Sequence, residues 1–532
     1  MKAYRVLLSL AFVGASALTL SGCSKGIEYE DLPESNIADK YRSIYQIMPV
    51  SYADSNGDGV GDLKGILDKV DYISSLNYTG IWLTPIHPSE TYHKYDVDDY
   101  KAIDPKLGTL ADYDALVSKL HEKKMTILLD LVINHSSDSI SWFKKSLNAH
   151  KNHQTTNQYY NYYNIIDLQS GQSVPSGYTQ SGNVAYESRF WSGMPDLNLQ
   201  NVLDEPDGYL ATELKDIIKF WLVDHKVDGF RLDAVTSYFT GDEARNKQFL
   251  TWLNNECKKV KPDCYIVGEG SWGSNTENQR YQESGIDSFF NFSNQSAKGY
   301  VATIVQGDAS FFNYALKHNK DTANGGIEAP FVANHDTGHM IGAVKGRSSV
   351  NNLKFGHGVL SMLNGTTYTY YGDEIGLAVP SSGDNRDENK RLPMNWGDSY
   401  TPKPVTGASE YTPEDVYPYG SVADQLADEK SCVNYVKKAN LLRKQLPQIA
   451  RGEFKEEYCS QDETFAVVSK TYNNETIYIL MNANPSNPVQ YSYSALPASK
   501  PIAELCCEGC AQIINKDTKT IEIPAQGIVI LK

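Results

Sequence analysis

The sequence predicts an α/β protein: a parallel (β/α)8 TIM barrel, interrupted after its third strand by an inserted domain and followed by a C-terminal antiparallel β-sandwich. Three observations predict it. Four short apolar runs each end in polar groups: Val227-Asp228-Gly229-Phe230-Arg231-Leu232-Asp233-Ala234-Val235, Asp130-Leu131-Val132-Ile133-Asn134-His135, Ile266-Val267-Gly268-Glu269 and Phe331-Val332-Ala333-Asn334-His335-Asp336. Helix-length segments separate them, as a barrel that gathers its chemistry at one face requires. Residues 136 to 197 show no strand-and-helix rhythm, and a stretch this long must fold on its own. From about Ile449 the pattern changes to short alternating runs such as Thr464-Phe465-Ala466-Val467-Val468 and Thr476-Ile477-Tyr478-Ile479-Leu480, the signature of antiparallel strands.

At 532 residues the chain has room for more than one folding unit. Its formal net charge of −16 excludes nucleic acid as a partner, since phosphate binding needs a basic face. The 36 Tyr and 7 Trp offer flat faces that suit sugar rings, although abundance alone does not separate such faces from core. Residues 1–22 carry Lys2 and Arg5, then an apolar stretch, then small residues, which is a signal peptide. Leu20-Ser21-Gly22-Cys23 resembles a bacterial lipobox, implying cleavage before Cys23, diacylation of its sulfur and an extracytoplasmic protein lipid-anchored to a bacterial membrane or cell surface. The other reading is a secreted protein with a chance cysteine. No other apolar run approaches the ~20 residues that span a bilayer, so contact with the membrane is through the anchor only. Residues 23–40 are the lipidated tether, polar and acidic from Ile27 to Asp39. Seven further cysteines remain. Cys257 and Cys264 bracket a short turn and are able to bridge in an oxidising compartment, whereas Cys506-Cys507-Glu508-Gly509-Cys510 lacks the partner cluster of a metal knuckle.

The first strand, over residues 43–50, runs into Asp54-Ser55-Asn56-Gly57-Asp58-Gly59-Val60-Gly61-Asp62. Oxygen side chains at Asp54, Asn56 and Asp58, a Gly at the sixth place and the Val60 carbonyl at the seventh reproduce the front of a calcium-binding loop. Gly65 replaces the usual Glu at the twelfth place, so Asp62 must complete the shell. An Asx-rich turn capping a helix over residues 63–76 is the alternative. A helix over 210–225 leads to the fourth strand, where alternation puts Arg231 and Asp233 on one face. The guanidinium is expected to lower the acid's pKa and keep it ionised as a nucleophile, unless the two are an ordinary buried pair. A helix over 247–260 leads to the fifth strand and Glu269. Three acids converge: Asp233, Glu269 and Asp336.

In order and spacing these strand ends resemble the motifs of the α-amylase superfamily of glycoside hydrolases, family thirteen. The resemblance implies a barrel over residues 41–135 and 198–448, a domain B over 136–197 and a sandwich over 449–532. Tyr92-His93-Lys94-Tyr95-Asp96 resembles the family's sugar-stacking loop, with Tyr95 as platform and His93 as its hydrogen-bonding neighbour; Lys94 stands where Gly is common. By the same resemblance His135 bonds the reacting sugar, His335 and Asp336 grip its hydroxyls, and Arg391 with Asp387 holds a donor-side sugar or forms a surface ion pair. Asp233 would be the nucleophile and Glu269 the proton donor, which crowding by two other carboxylates favours. Met194-Pro195-Asp196-Leu197-Asn198 resembles sequences intermediate between oligo-1,6-glucosidases and neopullulanases. The implied function is a calcium-binding, monomeric, retaining hydrolase of α-1,4 bonds in starch, maltodextrins and maltooligosaccharides. The small Ala234 after the nucleophile favours α-1,4, while Thr236-Ser237 replaces the Lys-His of many α-amylases. An oligo-1,6-glucosidase, neopullulanase or transglycosylase remains open, as does a non-catalytic α-glucan-binding surface lipoprotein. The presence of all three acids argues against the last.

Overall fold

The computed structural model describes residues 26–33, 37–498 and 500–532. The expected signal peptide and Cys23 lie outside the described residues. In chain order the strands up to residue 370 are β1 (Ser43–Ile47), β2 (Gly80–Leu83), β3 (Thr126–Leu131), β4 (Ile165–Asp167), β5 (Tyr178–Ser181), β6 (Val184–Glu187), β7 (Gly229–Leu232), β8 (Tyr265–Gly268), β9 (Ser288–Asn291), β10 (Ala329–Pro330) and β11 (Thr367–Tyr370). Eight of them form one parallel sheet in the order β10-β9-β8-β7-β3-β2-β1-β11. A parallel bridge from Phe331 to Tyr368 brings its two ends together, so the barrel is nearly closed.

Period-two alternation divides each strand between two environments. Ile44, Trp82, Leu128, Tyr265, Val267, Phe290 and Tyr368 fill the barrel interior. Their chain neighbours, among them Tyr45, Ile81, Leu129 and Ile266, pack outward against the helices, as do Phe230 and Leu232 on either side of Arg231. Gly229 opens β7 where a Cβ would fall 1.7 Å from the Tyr265 carbonyl oxygen, so the close approach of β7 and β8 requires glycine there.

Three helices differ from expectation, the one expected over 247–260 by beginning earlier, at Glu243. The one expected over 63–76 is broken at Lys69 into Leu63–Asp68 and Val70–Ser75. The one expected over 210–225 is α-helical over Tyr209–Lys219 and then widens into a π turn, Phe220–Asp224. That wider turn carries Trp221, which is fully buried and donates its indole N–H to the Tyr100 carbonyl at 2.8 Å.

Between β3 and β7 the chain forms helix Ser141–Lys151 and a small antiparallel sheet, β4-β6-β5. Backbone bridges His135–Asp196 and Tyr163–Leu197 tie its two ends to each other and to the end of β3. The C-terminal strands are β12 (Glu453–Cys459), β13 (Phe465–Tyr472), β14 (Glu475–Asn482), β15 (Val489–Ser492), β16 (Pro501–Cys506), β17 (Gln512–Asn515), β18 (Thr520–Ile523) and β19 (Gly527–Leu531). They make a five-stranded sheet, β12-β13-β14-β19-β16, and a three-stranded sheet, β15-β18-β17.

The described part of the expected tether is not free. Tyr29 donates to Glu504 Oε2 at 2.9 Å, Glu30 pairs with Lys500 at 2.6 Å, and the Gln445 amide donates to the Leu32 carbonyl at 3.1 Å. Ile27 and Leu32 supply the apolar contacts that hold it against the C-terminal sheets and the main core. Cys257 and Cys264 are buried thiols without the bridge their spacing allows. Among the described residues, no helix is long and apolar enough to cross a membrane.

Candidate active site

Strand register builds the centre of the site. Asp130 of β3 lies beside Arg231 of β7, both on the inward face, and the chain reaches Asp233 two residues later and Glu269 immediately after β8. Arg231 is 1% exposed. Its NH1 donates to Asp130 Oδ1 at 2.8 Å and to Asp233 Oδ1 at 2.7 Å, and its NH2 donates to Glu269 Oε2 at 2.8 Å. Glu269 Oε2 also accepts the Ala234 N–H at 3.1 Å, and Glu269 Oε1 accepts the Trp272 indole N–H at 3.0 Å. Ala234 is able to turn its amide this way because it adopts φ +49°, a left-handed conformation that a β-branched side chain would strain.

One guanidinium serves three carboxyls. Burial works against the charge on Arg231, but Asp130, Glu269, Tyr95 and Asp233 outweigh it and hold its pKa well above the usual value. For Asp233 and Asp130 the balance is reversed. Burial pushes Asp233 well above the usual carboxylate range, and Glu269 and Asp130 add to this against the pull of Arg231. Burial likewise pushes Asp130 up to about 6. Arg231 lowers the pKa of Asp233 as expected, but the expected net direction is corrected: desolvation and two neighbouring acids outweigh the guanidinium.

A second chain of hydrogen bonds crosses from β1 to the same acids. The Gln46 amide donates to His335 Nδ1 at 2.8 Å, which leaves the ring hydrogen on Nε2. His335 Nε2 lies 2.7 Å from the Tyr95 hydroxyl and 3.2 Å from Asp336 Oδ2, and the Tyr95 hydroxyl donates to Asp130 Oδ2 at 3.1 Å. The Tyr95 and His335 rings stack 5° from parallel. Burial, with Arg391 and Arg231 nearby, keeps His335 neutral by lowering its pKa well below the usual value. Arg391 donates through NH2 to Asp336 Oδ1 at 2.8 Å, through Nε to the His335 carbonyl at 3.0 Å and through NH1 to the Tyr92 hydroxyl at 3.0 Å. It lies 3.5 Å from Asp387, whose half-exposed carboxylate is shared with Lys390. Its nearest acid is thus Asp336, not Asp387.

His93 sits beside the same loop, its Nδ1 accepting the Tyr95 N–H at 3.2 Å. Lys94 adopts φ +64°, which explains why Gly suits this position, and its ammonium is buried against Asp104 at 2.5 Å. His135 is buried at the end of β3; burial lowers its pKa to about 4, and its Nε2 has no hydrogen-bond partner among the described residues. Asp130, Gln46, Tyr92 and Trp272 join the site without having been singled out as site residues from sequence. For Asp130 and Gln46 the available signal was a polar side chain at an inward position of an otherwise apolar strand.

The expected calcium loop closes on itself. Asp54 accepts the Gly57 and Gly59 N–H groups at 2.7 Å each, Asn56 accepts that of Asp58 at 2.9 Å, Asp58 that of Val60 at 2.8 Å, and Asp62 caps the next helix through Gly65 at 2.7 Å. These are the bonds of the Asx-turn and capping reading. Among the described residues, no group of three or more His, Cys, Asp or Glu is placed to hold a metal ion.

Residues 46–452 match the family model described as the catalytic domain of alpha amylase. The chain is 32% identical over 452 residues to "Alpha-amylase 3" of Dictyoglomus thermophilum, spanning 83% of this chain and 84% of that protein. It is 28% identical over 522 residues to an oligo-1,6-glucosidase of Parageobacillus thermoglucosidasius, spanning 84% and 90% of the two chains. Among solved structures, Amy13B of Eubacterium rectale superimposes with a TM-score of 0.84 at 34% identity, covering 94% of this chain and 97% of that one.

Proposed function

Because the chain belongs to the α-amylase family of glycoside hydrolases, we propose that it cleaves α-1,4-glucosidic bonds in starch, maltodextrins and maltooligosaccharides with retention of anomeric configuration. The observation that carries this reading is the fork of Arg231, whose NH1 and NH2 hold one oxygen of Asp233 and one of Glu269. Adjacent nitrogens of one planar group favour the close carboxyl spacing, about 5 Å, of retaining enzymes over the wider gap that leaves room for a water.

Asp233 attacks the anomeric carbon while Glu269 protonates the departing glycosidic oxygen; Glu269 then takes a proton from the water that opens the glycosyl-enzyme. Asp336, braced by Arg391, faces the charge that develops on the ring. Tyr95 offers its ring to the reacting sugar, and the unpartnered Nε2 of His135 supports a bond to a sugar hydroxyl. Ala234 favours α-1,4 over α-1,6 bonds, since a β-branched residue at φ +49° would be strained and would crowd the acceptor side. Initial rates on maltopentaose, panose, isomaltose and pullulan at equal concentration test this. Maltopentaose should be fastest, and faster cleavage of isomaltose would reverse the assignment. Proton NMR of the first product should show the α-anomer.

A further inference from the structure

Helix Ser310–Ala323 carries two stripes. Phe312, Ala315, Leu316, Asn319 and Ala323 make its buried side. Beside them Phe311, Tyr314 and His318 fall at i, i+3 and i+7, so three rings line up on the side that meets water. Tyr314 is 52% exposed, and Phe311 and His318 are half-buried. Tyr300, which opens helix Tyr300–Val305, stands across the stripe. Its ring lies 5.2 Å from that of Tyr314, at 87°, and 5.2 Å from that of His318, at 71°. Phe311 supports Tyr314 at 5.6 Å, and His318 lies 6.0 Å from it at 27°. These contacts fix the rings without covering them. Surfaces shaped only by solubility scatter such rings singly.

The cluster is joined to the catalytic cleft. The Asn275 amide donates to His318 Nε2 at 3.1 Å and to Ser293 Oγ at 2.7 Å. Phe292, one residue before Ser293, stacks on Trp272 at 4.8 Å and 25°, and Trp272, itself 54% exposed, donates to Glu269 Oε1 at 3.0 Å. Open rings thus lie at both ends of one connected path that starts at the proton donor. We propose that Tyr314, with Tyr300 and His318, is a glucan-holding site outside the cleft, which takes the leaving-group arm of a long α-1,4-glucan after that arm has passed Trp272. A glucose ring offers an apolar C–H face and hydroxyls around its edge; the cluster offers ring faces together with the hydroxyls of two tyrosines. Rings already held by one another lose little freedom when a sugar settles on them. This rests on the α-glucan reading given above and deepens it: the preferred substrate is a chain long enough to reach from Asp233 to Tyr314.

The test uses protein made inert by Asp233→Asn, so that glucans are bound and not cut, alone and combined with Tyr314→Ala or Tyr314→Phe. Each protein is titrated calorimetrically with maltotriose and with short-chain amylose. For amylose, Tyr314→Ala should weaken binding about three- to tenfold, the scale of one lost ring contact, while Tyr314→Phe stays close to the parent because the stacking face remains. Maltotriose, which the cleft alone is able to hold, should lose less than amylose, and its binding reports that the cleft of each variant is folded. Equal affinity for amylose in the parent and Tyr314→Ala would overturn the inference. An equal loss on maltotriose would overturn it too, by putting the effect inside the cleft. So would a dimer in light scattering that Tyr314→Ala dissociates with amylose binding unchanged, since the stripe then serves a second copy of the chain. If the parent binds neither glucan, it is the underlying α-glucan reading that has failed.

Discussion

Arg231 and Asp233 are legible in the sequence as a charged pair two residues apart at the end of an apolar run, because the period of a strand is fixed by the backbone. Asp130 is not legible in the same way. Its significance comes from lateral pairing with a strand 101 residues away, through the 2.8 Å bond to Arg231, and no local pattern encodes which strands become neighbours. The expected direction of the Asp233 shift fails because it counts the nearby cation and neither the burial of the site nor the two acids that other strands bring in. The role assignment is checked by removing charge or proton while keeping shape. Asp233→Asn should abolish turnover, and Glu269→Gln should lower kcat on starch by about 10²–10⁴-fold. Azide should restore part of the activity of Glu269→Gln on substrates with good leaving groups. Near wild-type cleavage of starch by Glu269→Gln would exclude it as the proton donor.

At the level of elements, one-turn segments and loops carry chemistry that periodicity does not report. The turn after β11 buries Glu374, whose Oε1 accepts the Tyr45 hydroxyl at 2.6 Å and the Tyr72 hydroxyl at 2.9 Å. Burial pushes its pKa from 4.5 up to about 7, against the pull of those hydroxyls. A carboxyl raised in this way contributes stability that is fully present below pH 4.5 and is lost as the pH rises to 7, on the order of 3 kcal/mol in all. Urea unfolding of wild type and Glu374→Gln at several pH values checks the sign: relative to wild type, the variant should gain stability between pH 4.5 and 7. A pH-independent difference would mean that Glu374 does not titrate in this window. The loop from Asp54 to Asp62 poses a separate question, because its sequence satisfies both a calcium pattern and a helix cap, and the hydrogen bonds formed are those of the cap. We propose calcium there on the order of its oxygen side chains. In protein shown by elemental analysis to be metal-free, added calcium should raise the melting temperature; no change would leave the cap alone.

For the whole molecule, the sandwich was legible as alternating runs, but its largest sheet is buried on both sides. Phe465, Val467, Leu480 and Val529 face the smaller sheet, while Ala466, Val468, Ile479, Met481, Ile528 and Ile530 face the main core. That is why β19 reads as a continuous apolar run. The segment over residues 26–33 is bound to the same region, so an anchor at Cys23 would hold the C-terminal sheets close to the lipid instead of leaving the enzyme on a free leash. We propose that anchor; labelled palmitate should enter the wild type and not Cys23→Ser. The place of β19 has a consequence for how the protein is made. This last strand lies between β14 and β16, so the sheet cannot close until residues 527–531 have left the ribosome. Until then β14 and β16 remain unjoined edges with bare apolar faces. The order of synthesis thus keeps the strands from β12 to β18 open to chaperones until β19 arrives.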